Sequence, residues 1–110
     1  MKYLIALYQL NQDAELREHL ENKIYENVQK EYPTKASLLR FYKPGYEFMV
    51  ETDKLPTAFL KELLHTPYKF LGEDFSGYRL GITDIVSICE APKSLANWYY
   101  CDTYGWKEMN

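Results

Sequence analysis

Apolar positions along the chain recur with two different periods, and breaker residues divide them into blocks. Residues 2–9 carry Tyr3, Ile5 and Leu7 at every second position with no breaker, which predicts a buried first strand. Beyond Asn11, Gln12 and Asp13, the apolar residues Leu16, Leu20, Ile24 and Val28 recur every fourth position, with Tyr25 beside them. That stripe predicts one helix of about 18 residues. Asp13 or Asn11 would cap its N-terminus, and Glu15 adds negative charge to its first turn. Its other faces are polar, with Glu26 and Lys30 at the favourable four-residue spacing. Tyr32-Pro33 ends it, because the residue before proline avoids the helical region.

The segment 36–42 is ambiguous between a short helix and a strand, and Lys43-Pro44-Gly45 marks a turn. Residues 46–51 alternate and predict a strand. From about Pro56 to His65 the pattern is helical again, with Phe59, Leu60, Leu63 and Leu64 facing inward and Thr66-Pro67 closing the helix. Pro67, Gly72, Gly77 and Gly81 make 67–81 a structured loop. Residues 83–90 read as a buried strand, 91–97 as a loop and 97–103 as its antiparallel hairpin partner. Gly105 then permits a bend before a short edge strand at 106–109. The sum is an α+β fold: an antiparallel sheet of about four strands with two helices packed on one face.

At 110 residues the chain is expected to form one domain, 1–110. The net charge of −3, with Lys and Arg interspersed, argues against a nonspecific grip on duplex nucleic acid and equally against an acidic DNA mimic. The apolar run at the N-terminus is broken at Gln9, Asn11 and Gln12, unlike a secretory signal. No stretch approaches the roughly 18 apolar residues that span a bilayer. A cytoplasmic protein without membrane contact is expected. Cys89 and Cys101 have no zinc spacing and read as two reduced core residues, with a cross-hairpin disulfide as the alternative. His19 reads as an exposed helix residue, and His65 as a complement to a helix C-terminus.

No phosphate-binding loop, metalloprotease or nucleophile-elbow pattern occurs, so neither a cofactor nor a metal is expected. Of the acidic residues, which include Glu73 and Asp74, Asp84 and Asp102 stand out, at the start of one hairpin strand and the end of the next. They have two readings: a pair of carboxylates sharing acid–base or metal chemistry, or separate acceptors of backbone N–H bonds in turns. The aromatic content is the other signal. Trp98, Tyr99, Tyr100, Tyr104 and Trp106 crowd into the C-terminal strands, and alternation puts Trp98 and Tyr100 on one face and Tyr99 on the other. Such rings serve as core or as binding hot spots, and stacking on single-stranded bases is a further use.

The C-terminal half has a recognisable pattern. GYRLGITDIVSI followed by WYYCDTYGWKEM resembles the signature of YodL-like domains. There, a glycine, a Ser-Leu-like turn and a Ser-Asp-Val strand precede a Tyr-Tyr-Val-Asp-Ser-Phe-Gly-Phe strand. The matching positions are Gly77, Leu80, Thr83, Asp84, Ile85 and Val86, then Tyr99, Tyr100, Asp102, Tyr104, Gly105 and Trp106. The opening YLIALYQLNQDAELREHL also resembles the family's first strand with its Tyr-Gln-Leu. The likeness covers roughly half the chain and leaves the middle unmatched. The family often has Gly-His-Ser where this chain has Gly77, Tyr78 and Arg79, so no role of that histidine carries over.

The resemblance implies an accessory module of Firmicutes, often carried on conjugative elements and phages, with no general enzymatic reaction. It implies structural roles for Gly77, Asp84, Asp102 and Gly105. The expectation is a non-enzymatic interaction module acting on a host or element-encoded protein, with Trp98, Tyr100, Tyr104, Trp106 and Tyr78 as candidate binding residues. Inhibition of a restriction or CRISPR nuclease, single-strand nucleic-acid binding and homodimer formation stay open as alternatives.

Overall fold

The computed structural model describes residues 1–90 and 95–109. In chain order the elements are β1 (Lys2–Tyr8), α1 (Ala14–Glu21), α2 (Tyr25–Glu31), α3 (Lys35–Leu39), β2 (Tyr46–Glu51), α4 (Pro56–His65), β3 (Ile85–Glu90), β4 (Ala96–Asp102) and β5 (Gly105–Met109). A 3-10 turn at Pro67–Lys69 follows α4. The strands form one sheet in the order β2-β1-β3-β4-β5, and every neighbouring pair is antiparallel.

The fold is α+β around an antiparallel sheet, as expected, with five strands and four helices among the described residues in place of about four and two. The helices also divide between the two faces. In β4, Tyr99 joins Tyr3, Ile5, Leu7, Val86 and Ile88 in a core against Phe59, Leu60 and Leu63 of α4. Its neighbour Tyr100 points the other way and joins Ile85 and Met109 in a second core with Leu20, Val28 and Leu38 of α1–α3. Strand alternation places those two cores on opposite faces. The run Ile85-Val86, buried at both positions, is the local mark of a strand covered on both sides.

The expected 18-residue helix is broken into α1 and α2. Asp13 caps α1, its Oδ1 accepting the Leu16 N–H at 3.1 Å. The Lys23 N–H closes onto the Leu20 carbonyl at 3.0 Å, and a new helix begins at Tyr25. Its first N–H donates to Asp102 Oδ2 of β4 at 2.8 Å, a buried bond that replaces the missing intrahelical acceptor. The break turns Ile24 outward and Tyr25 inward. Beyond it, His19 of α1 reaches Glu31 of α2 at 2.9 Å on the surface.

The ambiguous segment 36–42 resolves into α3 and a bridge. Thr34 and Ser37 form a reciprocal capping box, and Tyr42 pairs with Leu10 beyond the end of β1. Thr83 and Asp84, expected within a strand, form a turn ahead of β3. Part of the loop expected at 91–97 lies outside the described residues, while Ala96 and Asn97 belong to β4. Cys89 lies opposite Ala96 and Cys101 opposite Trp106, so the cysteines sit at opposite ends of the hairpin and no disulfide joins them. Burial pushes the Cys101 thiol up to about 12. Among the described residues, no helix is long and apolar enough to cross a membrane.

Candidate functional site

Asp102 ends β4 and is almost wholly buried. Its Oδ2 accepts the Tyr25 N–H, and its Oδ1 accepts the Tyr104 N–H at 2.8 Å. One carboxylate therefore fixes both the start of α2 and the β4–β5 turn. Gly105 leaves that turn with φ at +110°, a region that L side chains resist. The consequence is a rigidly held turn that presents Tyr104 to solvent at 77% exposure.

Two clefts flank this hairpin. One, of about 520 Å³, lies between α4 and β5, with Lys61, Leu64 and His65 on the helix side and Tyr99, Trp106 and Glu108 on the sheet side. Trp106 is fastened there, its Nε1–H donating to the Leu60 carbonyl at 2.9 Å. The second, of about 350 Å³, lies between α2 and β5, bordered by Ile24, Glu26 and Gln29 on the helix and Lys107 on the strand. Tyr104 and Glu108 border both clefts. The strand between them, β5, is the last in the sheet.

A separate buried knot joins the two ends of the chain. The Gln9 Nε2 donates to the Tyr78 carbonyl and to Asp84 Oδ2, both at 3.1 Å, and Gln9 Oε1 accepts the Tyr78 N–H at 2.8 Å. Asp84 Oδ2 also accepts the Gly81 N–H at 2.8 Å. Burial pushes the Asp84 carboxyl up to about 7, against the opposing pull of the Gly81 and Gln9 hydrogen bonds and of the Arg17 charge. Next to it, Thr83 holds φ at 79° with its carbonyl bound to the Tyr42 hydroxyl at 2.6 Å. Such a backbone is an outlier for a β-branched residue. Gly77 fits this knot because a Cβ there would collide with Gln9 Oε1 and the Phe75 ring.

Asp84 and Asp102 thus have different work. Each accepts hydrogen bonds from groups of its own, as the turn-holding reading requires, and the arrangement gives the shared-chemistry reading no support. Among the described residues, no group of three His, Cys, Asp or Glu side chains could hold a metal ion.

The five candidate aromatic residues separate. Tyr100 is fully buried at 0% exposure, its ring centroid 5.4 Å from that of Tyr25, so it belongs to the core and offers no binding surface. The reason is that α2 covers the face its strand position selects. Trp98 is half-buried, stacked on Tyr8 at 5.3 Å with the Lys35 ammonium over its ring. Tyr78 is half-buried, with Arg17 and Lys43 over its ring. Tyr104 and Trp106 alone of the five meet at one place, the α4 cleft. Gln9, Lys61 and Glu108 were not legible as site residues. Gln9 had one signal, a polar side chain in an otherwise apolar strand within the Tyr-Gln-Leu of the resemblance.

The elements joined by these two networks run from β1 to β5, and the sequence profile of the YodL-like domain matches residues 4–110. The chain belongs to the YodL-like domain family. The match takes in the middle of the chain, which the motif resemblance had left out. None of the curated proteins and none of the solved structures matches this chain. In this YodL-like domain, Asp84 and Asp102 are the acceptors of the two networks, Gly77 makes room for Gln9, and Gly105 supplies the turn's backbone angle.

Proposed function

We propose that this YodL-like domain is a non-enzymatic protein-interaction module whose contact surface is the β4–β5 end. One observation carries the reading. Tyr104, exposed and held in place by Asp102, stands between two clefts at the edge of the sheet. Tyrosine on a rigid support is a favoured anchor in binding hot spots, because little side-chain freedom is lost on contact. The family resemblance extends the reading: an accessory protein of a conjugative element or phage that binds or inhibits a host protein in the cytoplasm.

The test is co-purification from a bacterial lysate with tagged wild type against Tyr104→Ala and Lys61→Glu. Both side chains lie on the cleft rim, and Tyr104 joins the Asp102 network through its backbone N–H alone, which alanine keeps, so the variants are expected to fold. The reading expects partner proteins retained by wild type and depleted at least several-fold by each variant. Partner sets that are empty, or identical across the three proteins, would sink it.

A further inference from the structure

We propose that two copies of this domain pair through β2, antiparallel and edge to edge, so that their two sheets become one. The proposal stands apart from the interaction reading, which uses the opposite end of the sheet: β2 and β5 are its two terminal strands.

Which backbone groups of β2 face outward follows from its ladder with β1. The Thr52 N–H donates to the Met1 carbonyl at 2.9 Å, and the Met1 nitrogen donates to the Thr52 carbonyl at 2.8 Å, so these two form a hydrogen-bonded pair. From there the register runs one to one, from Lys2 opposite Glu51 to Leu7 opposite Tyr46. Bonded and non-bonded pairs alternate along an antiparallel ladder. Val50, Phe48 and Tyr46 therefore bond to β1, while Glu51, Met49 and Glu47 turn their N–H and C=O groups outward. Such a row is a template for another strand, and the usual obstacles are absent from β2: it holds no proline, no lysine and no bulge.

Side-chain chemistry makes the second copy a fitting occupant and fixes its register. Two-fold pairing brings like faces together, so each residue meets one from the same face of the second copy. Centring the contact on Glu47 sets that glutamate against itself, and centring it on Met49 sets Glu47 against Glu51; like charges directly opposite are destabilising. Centring on Tyr46 or Val50 leaves part of each strand beyond the end of the other. Centring on Phe48 avoids all of these. Phe48 then meets Phe48, Tyr46 meets Val50 on either side of it, and the outward groups of Glu47 bond to those of Met49. Aromatic pairs and aromatic–β-branched pairs are favourable combinations across strands. The Tyr46 ring is already held, its hydroxyl donating to Asp74 Oδ1 at 2.7 Å and its centroid 5.0 Å from that of Phe75, so little freedom is lost on contact. β5 lacks this self-complementarity, since its central register sets Lys107 against Lys107. Pairing through β2 leaves β5 at both outer ends, and the dimer presents two Tyr104 surfaces to a partner.

The experiment is sedimentation equilibrium of the full chain up to about 1 mM, with amide hydrogen exchange measured across the same concentrations. The expected result is a reversible monomer–dimer equilibrium, with exchange at Glu47 and Met49 slowing as the dimer forms. Met49→Pro removes one outward N–H without taking a bond from β1 and should abolish the dimer. Met49→Lys sets an ammonium opposite Glu47 of the second copy and should tighten the dimer by about threefold to tenfold. Met49→Glu should weaken it by as much, and a Glu47→Gln background should erase most of the difference between the two. Thermal melting at dilute concentration shows whether each variant folds.

A chain that stays monomeric to about 1 mM overturns the proposal. So does a dimer that forms without slowing exchange at Glu47 and Met49, one that a folded Met49→Pro variant still makes, or one whose strength ignores the charge at position 49. Should Met49→Pro fail to fold, the exchange data and the Lys and Glu variants decide alone.

Discussion

Asp84 makes the stability of this domain depend on pH in a direction opposite to most acidic residues. Its carboxyl titrates at about 7 in the folded chain against an ordinary value of 3.8, chiefly because burial disfavours the charge. A shift of about three pH units corresponds to roughly 4 kcal/mol, taken as a ceiling. The folded state holds the proton more tightly than the unfolded chain, so the stabilisation is complete below about pH 4. It declines as pH rises and is gone once pH passes about 7. Asp84→Asn keeps one oxygen to accept the Gly81 and Gln9 hydrogen bonds and cannot ionise. Urea denaturation of both proteins, followed by tryptophan fluorescence between pH 4.5 and 8, isolates the effect in the difference between them. Wild type should lose stability relative to the variant as pH rises, by up to about 3 kcal/mol across the range. Parallel curves, differing by a constant, would refute the reasoning, and so would a wild type that gains on the variant with pH.

Other expectations follow from the same contacts. Asp102→Ala strands the Tyr25 and Tyr104 N–H groups and should cost about 2–4 kcal/mol in urea denaturation, with faster amide exchange at the start of α2. Gly105→Ala forces a side chain into φ of +110° and should cost about 1–3 kcal/mol, read as a lower Tm. Cys101, buried and with its thiol pushed up to about 12, should resist iodoacetamide at pH 8 in the native protein and react promptly in urea.

Local periodicity was sufficient for the elements whose environment is simple. β2 at Tyr46–Glu51 and α4 at Pro56–His65 lie where alternation and the four-residue stripe put them, because each presents one apolar face to one core. β5 was visible as a short edge strand because Gly105 marks its start. Family membership was legible too, since the Gly, Asp and aromatic positions that carry it are close together in sequence. The exposed Tyr104 was among the candidate residues, but so was the buried Tyr100, and nothing local separates them: which ring is covered depends on where α2 lies.

The features that only tertiary structure decided share one physical cause: a polar group whose partner lies far along the chain. The stripe from Leu16 to Val28 is continuous in sequence, yet the helix breaks because the acceptor for the Tyr25 N–H, Asp102, is 77 residues away. Gln9 looked like an interruption in a strand until its partner Asp84, 75 residues on, was beside it. The clefts are of the same kind, since each is a gap between β5 and a helix brought to it by the fold. Sequence periodicity reports which side of an element is apolar. It carries no information about which distant donor meets which acceptor, and in this domain those meetings set the helix break, the turn that presents Tyr104 and the walls around the open edge.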